Sequence, residues 1–218
     1  MSDTVHAWYF SMSDRRLGFG DGRPIELGTV HTHDGTPVLC GPGLHASERA
    51  IDAFKYAPGL VLWRVECGGT VVTGDDKIAC TERTYVAGGV DASSLLRAYA
   101  RWCALSVVHL WACPDVVARY LVTGDETLAV AARVDVWVPV RDAAGGAARA
   151  AAWSATRTAA GGAARDAAGA AARAAAWEAE EDEWEAAEDA ARECQAAQFE
   201  AMCEALIAGD CWWENDNE

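Results

Sequence analysis

The chain has 218 residues, a formal net charge of −15 and 51% apolar residues, which suits one domain with an appendage or two small domains. The excess of acid disfavours direct binding to the phosphate backbone of nucleic acids. No stretch approaches the roughly 18 apolar residues of a membrane span, and no secretion signal opens the chain. We therefore expect a cytoplasmic protein that contacts neither membrane nor nucleic acid.

The negative charge is concentrated at the end of the chain. Residues 1–141 carry 13 Lys/Arg against 16 Asp/Glu, whereas residues 142–218 carry 5 against 17. An acidic end of this kind engages a basic protein partner or mediates a homo-oligomer, or it is simply the solvated face of a helix. The sequence leaves these alternatives open.

Metal and disulfide chemistry have little support. The eight cysteines contain no C-x-x-C pair and lack a secretory context, so reduced thiols are expected. His31 and His33 form an H-x-H pair that could hold a metal on one strand face, but a third local ligand is missing. Because Asp34-Gly35 is an ordinary turn signal, a solvated hairpin is the better interpretation, and no metal site is predicted.

Residues 1–90 predict a small mixed β-sheet. Val5–Ser11 is rich in β-favouring residues and reads as the first strand. A Gly-Pro-Gly turn leads to Leu44 and to Ser47, a plausible N-cap for a helix over 48–56. Strands are then predicted over 60–67, 70–73 and 78–86, with a polar turn at Asp75-Asp76-Lys77.

Residues 91–141 predict a helical cap. Asp91 is a suitable N-cap for a helix that ends near Trp111, and two shorter helices follow. The stretch 134–140 alternates like a strand but contains Pro139, so its type stays open. The overall prediction is an α+β protein with segments 1–90, 91–141 and 142–218, the last a long Ala-rich, acidic helical tail.

The last segment contains an eight-residue repeat. Its arginines recur at positions 133, 141, 149, 157, 165 and 173, and Trp137, Trp153 and Trp177 each follow one by four residues. On a helix this spacing allows cation–π contact between Arg and Trp. A repeat expansion that conserves only helicity is an equal alternative. Beyond Trp177, an apolar face including Cys194, Phe199, Met202 and Leu206 is predicted to pack on another helix.

Several motifs together resemble the core of the mono- and poly-ADP-ribosyltransferases. In that family an early strand supplies a His or Arg, a G-[IVL]-Y-[FL]-[AS] segment supplies an aromatic that stacks on nicotinamide, and a late strand supplies a glutamate. Here His6 lies on the first strand, Gly43-Leu44-His45-Ala46-Ser47 matches the second motif, and Glu82 lies on the last strand. The resemblance spans residues 5 to 95, and His45 stands where the family has tyrosine.

The resemblance implies an NAD-type cofactor and named roles. Glu82 and His6 would be catalytic, while His45, Gly43, Ser47 and Tyr56 would bind the nucleotide. A carboxylate beside the scissile bond can stabilise the oxocarbenium character that develops when nicotinamide leaves. Each residue also has an ordinary structural interpretation, such as a turn histidine for His45 or a core aromatic for Tyr56.

The G-L-H-A-S motif with an Ala/Arg/Trp-repeat tail also resembles uncharacterised domains of actinobacteria and their phages. That setting implies no activity. The leading hypothesis is an ADP-ribosyltransferase-like protein that binds NAD or ADP-ribose. The alternative is a non-catalytic, phage-type inhibitor that sequesters a nucleotide or engages a partner through the acidic helical segment.

Overall fold

The computed structural model describes residues 4–18, 20–140, 142–157, 159–177, 179 and 183–214. Within this part the protein is α+β, with one antiparallel sheet and seven α-helices. The chain divides into two compact units. The sheet unit is drawn from Met1–Ala92 and Phe199–Asp210, and the helical unit from Ser93–Gln198 and Cys211–Glu218. Whether 91–141 and 142–218 fold as separate domains stays a prediction.

The sheet has five strands: β1 Val5–Ser11, β2 Val30–Thr32, β3 Leu44–Ala46, β4 Val61–Thr73 and β5 Ile78–Asp91. Their order is β1-β4-β5-β2, and β3 also pairs with β5. Every pairing among the described strands is antiparallel, so the prediction of a mixed sheet is wrong. For the central pair β4 and β5 the physical reason is the short turn between them, since a parallel pair needs a long crossover connection.

Two predicted strands, 60–67 and 70–73, form the single long strand β4. Its pairing with β5 has three register shifts, one of them between Gly68 and Val71. The glycine pair at 68–69 therefore marks an irregularity within a strand and not its end. The result is a long β4–β5 hairpin on which the other three strands assemble.

The start of helix α1 differs from the prediction. Ser47 pairs through its backbone with Trp8, where its N–H donates at 3.1 Å and its carbonyl accepts at 2.7 Å. Because this extended pairing occupies Ser47, α1 covers only Ala50–Lys55 and begins without a side-chain cap from its N-cap residue, Arg49. The N-cap role predicted for Ser47 is therefore wrong. Instead, Ser47 links the end of β3 to the outer edge of β1.

The two sides of the sheet have different partners. One side carries the main core, built from aliphatic, aromatic and thiol side chains: Ala7, Leu17, Ile25, Leu44, Ala46, Val61, Trp63, Val65, Cys67, Ile78, Cys80 and Tyr85. On the other, Phe10 packs against Phe54 of α1, and Phe54 stacks on Phe199, with ring centroids 5.3 Å apart. Helix α1 and the segment from Phe199 thus cover that side.

The helical unit begins directly after β5. Its helices are α2 Ser93–Ser106, α3 Asp115–Thr123, α4 Glu126–Asp135, α5 Ala143–Ala155 and α6 Ala160–Ala176, with short 3-10 turns at Val108–Leu110 and Trp212–Glu214. Helix α7, Trp184–Ala208, belongs to this unit up to Gln198 and to the sheet unit from Phe199. The stretch 134–140 ends α4 and contains no strand.

The Ala-rich segment forms the packed centre of the helical unit. Helices α5 and α6 pack against each other and against α2. Their buried positions are mostly alanine, among them Ala148, Ala151, Ala163, Ala164, Ala167 and Ala171. Small side chains let helix backbones approach closely, which allows α5 and α6 of the predicted Ala-rich helical tail to pack against each other and against α2.

The Arg/Trp repeat makes different contacts from those predicted. The Arg149 guanidinium lies 5.3 Å from the Trp137 ring centroid, twelve residues away, and Trp137 also contacts Trp153. Arg133 donates to the carbonyl of Thr156 rather than lying over Trp137. These contacts join the end of α4 and the turn after it to α5 and its C-cap residue. Arg141 lies outside the described residues.

Part of the apolar face predicted for the last segment is confirmed in helix α7. Phe199, Met202, Cys203 and Leu206 are buried, but Cys194 is exposed. Gln195 is buried instead of Cys194. Its side-chain amide donates to the Ala168 carbonyl, and its main-chain carbonyl accepts from the Tyr99 hydroxyl. Among the described helices, none combines the length and apolarity required to cross a bilayer.

Adjacent glycines in α5 give a stability prediction of opposite sign. A Cβ at Gly145 would lie 2.5 Å from Val140 Cγ1 and 2.8 Å from the Leu110 carbonyl oxygen, whereas nothing lies within 4 Å at Gly146. We expect Gly146→Ala to raise the free energy of unfolding by about 0.5–1 kcal/mol through helix propensity. Gly145→Ala should lower it by about 1–3 kcal/mol through overpacking. Urea denaturation of both variants tests this, and equal effects would contradict it.

Candidate functional site: a cavity beside the Gly-Pro-Gly turn

A cavity of about 660 Å³ opens in the sheet unit beside strand β3. Its wall combines the turn Gly41-Pro42-Gly43, β3, and parts of β1 and α1. Charged and polar side chains also line it, notably Asp21, Lys77 and Arg83. Its volume lies within the range of about 300–1,000 Å³ that small-molecule sites occupy.

The turn at the cavity wall has a constrained backbone. Gly43 has φ = +129°, and a Cβ there would lie 3.0 Å from the Pro37 Cβ. The Val38 N–H donates to the Pro42 carbonyl at 2.7 Å and closes the turn. Gly43 is therefore needed for the path of the chain, which places the following residue pair, Leu44 and His45, in β3.

His45 lies in the cavity wall and is partly buried. Its Nε2 lies 3.2 Å from the Val38 carbonyl oxygen, which can only accept, so Nε2 carries the proton. Burial lowers the pKa of His45, and the backbone hydrogen bond to Val38 opposes that effect only in part. A neutral imidazole at the wall can stack on a flat ligand ring.

Tyr56 lies at the rim and is not a core aromatic, since 51% of it is exposed. Its hydroxyl donates to Asp76 Oδ2 at 2.6 Å, and Lys77 Nζ lies 3.8 Å from its ring centroid. Lys77 also donates to Cys40 Sγ at 3.1 Å. These contacts order the turn at 75–77 beside the cavity and place a positive charge at its rim.

The most unusual side chain of the wall is Arg83, which is only 2% exposed. Its Nε and Nη2 donate to the Tyr85 hydroxyl at 3.0 and 2.6 Å, and its Nη1 donates to the His45 carbonyl at 2.5 Å. The guanidinium carbon lies 3.8 Å from the Tyr9 ring centroid. Within the described part of the chain, Arg83 has no carboxylate at ion-pair distance.

A buried hydrogen-bond chain holds this arginine in place. The Tyr85 hydroxyl accepts from Arg83 and therefore donates its proton to His31 Nδ1 at 3.2 Å, while His31 Nε2 donates to the Pro24 carbonyl at 3.1 Å. Burial raises the pKa of Tyr85 to about 12 and lowers the pKa of His31. Both side chains are neutral in this chain of bonds.

The burial of His31 corrects one sequence interpretation. Only 5% of His31 is exposed, so the solvated hairpin predicted for 31–35 is wrong at this residue. The ring contacts Tyr85 edge-on, with centroids 5.3 Å apart. No group of three or more His, Cys, Asp or Glu side chains with metal-binding geometry occurs among the described residues.

The predicted nucleotide-binding residues come together, whereas the predicted catalytic pair lies elsewhere. Gly43, His45, Ser47 and Tyr56 all line the cavity. His6 and Glu82 are absent from its wall, again within the described residues. Sequence reasoning selected Glu82 and missed its neighbour Arg83, for which no local pattern gave a signal.

Strand alternation explains the position of Glu82. Successive side chains of β5 point to opposite faces, and Arg83 is buried whereas Glu82 is exposed. Glu82 pairs with Gly68 and Thr32, and Thr84 with Glu66, the partner of His6. His6 and Glu82 therefore share the face of the sheet opposite to Arg83. His6 Nδ1 lies 3.6 Å from Glu66 Oε1 and is largely exposed.

The comparisons with known proteins add a family of undefined activity. Residues 20–98 match the model of a family described as a domain of unknown function, DUF7666. The match contains the Gly-Pro-Gly turn, β3 and Arg83, and it covers less than half of the chain. Neither the curated proteins nor the solved structures gave a match. The cavity wall thus lies on the segment similar to DUF7666 except for its residues 8–10, 17 and 18.

Proposed function

We propose that this protein binds a nucleotide of the NAD or ADP-ribose type in the cavity beside the Gly-Pro-Gly turn. The observation that carries the proposal is convergence on a single cavity. Gly43, His45, Ser47 and Tyr56 were selected from the sequence as nucleotide-binding residues, and all four line its wall. They are joined by Lys77 and Arg83, which supply positive charge for an anionic ligand.

The chemistry of the wall suits the parts of such a ligand. His45 and Tyr56 offer flat rings for stacking on a base or a nicotinamide, and base–aromatic stacking contributes about 1–3 kcal/mol per base. The two cations suit the phosphates. A site with apolar walls and a few convergent polar groups is the usual form of a small-molecule site.

Binding without group transfer is the function that the geometry supports best. A catalytic carboxylate must reach the scissile bond, but Glu82 is exposed on the face of β5 opposite to Arg83. The ADP-ribosyltransferase activity implied by the resemblance therefore stays a prediction from sequence. Glu82→Gln tests it, because a transferase would lose NAD hydrolysis or transfer while nucleotide binding is retained.

Isothermal titration calorimetry with NAD⁺, ADP-ribose and a cyclic dinucleotide tests the proposed function. We expect NAD⁺ or ADP-ribose to bind the wild type, and His45→Ala to weaken that affinity by about fivefold to 150-fold, as loss of one stacking contact implies. His6→Ala is the matched control, since His6 is a histidine of the same sheet outside the cavity. Equal loss in both variants, or no binding by the wild type, would refute the proposal.

A further inference from the structure

Counting the donors of Arg83 shows unused binding capacity. A guanidinium group has five N–H donors. Among the described residues, Nε and one N–H of Nη2 bond to Tyr85, and one N–H of Nη1 bonds to the His45 carbonyl. One N–H on each of Nη1 and Nη2 therefore has no acceptor within the part of the chain that the structure describes. N–H groups of the two terminal nitrogens are the donors with which arginine binds the oxygens of carboxylates and phosphates.

The charge of Arg83 is also unbalanced. Burying a cation carries a large desolvation cost that a paired anion normally offsets. Asp21 is the acidic side chain of the cavity wall, but its Oδ2 already pairs with Arg23 Nη2 at 2.7 Å, and this pairing lowers the pKa of Asp21. In a protein with a net charge of −15, the wall of this cavity combines a buried arginine with a second cation at Lys77.

The arginine is held rigidly before any ligand arrives. The Tyr85 hydroxyl accepts from two nitrogens of Arg83 and is itself held by its hydrogen bond to His31. The Tyr9 ring covers one face of the guanidinium plane, with its centroid 3.8 Å from the guanidinium carbon. A donor fork fixed in advance loses little conformational entropy on binding, and this lowers the cost of association. Lysine, which offers a point charge on a flexible stem, could not reproduce such a fork.

We propose that Arg83 is the phosphate anchor of the cavity, binding two oxygens of a phosphate or pyrophosphate group through Nη1 and Nη2. This inference rests on the proposed function, in which the ligand is a nucleotide. The base or nicotinamide ring then lies toward His45 and Tyr56, and Lys77 faces the same charged group from the rim. Affinity is thus divided between a phosphate contribution at Arg83 and a ring contribution at the rim.

The test compares ADP-ribose, adenosine and inorganic pyrophosphate by calorimetry and by thermal shift at constant ionic strength. For the wild type we expect ADP-ribose to bind at least about tenfold more tightly than adenosine, and pyrophosphate to compete with ADP-ribose. Arg83→Lys should lose at least about tenfold in ADP-ribose affinity and leave adenosine affinity unchanged. Arg119→Lys, at an exposed arginine of α3, is the matched control.

The outcomes separate the two proposals. If adenosine and ADP-ribose bind the wild type equally well and pyrophosphate does not compete, the anchor is refuted while nucleotide binding stands. If pyrophosphate binds but no nucleotide or nucleoside binds more tightly, the anchor is supported and the nucleotide proposal is refuted. Absence of binding by all three ligands refutes both. Should Arg83→Lys fail to fold, Lys77→Met decides between the two cations of the wall. An unchanged preference for ADP-ribose over adenosine in Lys77→Met supports Arg83 as the anchor, and loss of that preference refutes it.

Discussion

Replacing Phe199 with alanine should lower the free energy of unfolding by about 3–5 kcal/mol, the range typical of a fully buried phenylalanine. Phe199 has no exposed surface and stacks on Phe54, with centroids 5.3 Å apart and an angle of 28° between the rings. Phe54 in turn contacts Phe10 of β1. Loss of the Phe199 ring, at one end of this row of three aromatic rings, leaves a cavity that rigid neighbours cannot close.

Guanidinium denaturation followed by circular dichroism measures the effect of Phe199→Ala. We expect a lower midpoint with an unchanged slope, since the surface exposed on unfolding stays similar. Glu204→Ala is the matched control, because Glu204 is an exposed residue of the same helix and its removal should change stability by no more than about 0.5 kcal/mol. A loss below about 1 kcal/mol for Phe199→Ala would contradict the described packing.

Glu200→Ala should lower the free energy of unfolding by about 2–3 kcal/mol. The Glu200 carboxylate accepts from the buried indole of Trp8 at 2.5 Å and from the Ala50 N–H at 2.8 Å, which is the first residue of α1. The Arg64 guanidinium lies near both Trp8 and Glu200. Removal of this carboxylate leaves a buried donor without an acceptor and α1 without its only described cap, and each loss is costly.

A second substitution at Glu200 and a double-mutant cycle with Trp8 separate the contributions of the Glu200 carboxylate. Glu200→Gln keeps the size of the side chain but brings an N–H₂ group and removes the charge, so it should recover only part of the loss. Trp8→Phe combined with Glu200→Ala completes a double-mutant cycle, and we expect a coupling energy of at least about 1 kcal/mol. Additive effects of the two substitutions would show that the Trp8–Glu200 hydrogen bond does not stabilise the fold.

Local sequence was sufficient for several elements. The first strand, Val5–Ser11, is found as predicted, since β-branched and aromatic residues dominate it. Gly43, His45 and Ser47, chosen from the sequence around the Gly-Pro-Gly turn, line one cavity wall, and Gly43 has a backbone conformation that other residues rarely adopt. The helical spacing of apolar residues correctly predicted the long helix α7. Its buried face differs from the prediction at one position, where Gln195 is buried instead of Cys194.

The sequence did not show which side chains face the cavity or contact each other in the folded protein. Glu82 and Arg83 are adjacent, and only strand register decides which of them faces the cavity. A shift of one residue would exchange their positions. The anchor of the candidate site is therefore the neighbour of the residue that the motif suggested. The same limit applies to the Arg/Trp repeat. Its composition predicted helices, but its spacing did not predict the contact between Arg149 and Trp137.

The sequence by itself determined where the chain is extended, where it is helical and where it turns, because those preferences arise among residues a few positions apart. Only the tertiary structure decided that Ser47 extends the sheet beside Trp8 rather than capping a helix. The same holds for the Glu200 carboxylate, which accepts a hydrogen bond from the Trp8 indole, 192 residues away in the chain. The tertiary structure likewise placed Arg83 in the cavity wall. These outcomes depend on pairings between distant segments, whose free energies appear only when the segments pack together.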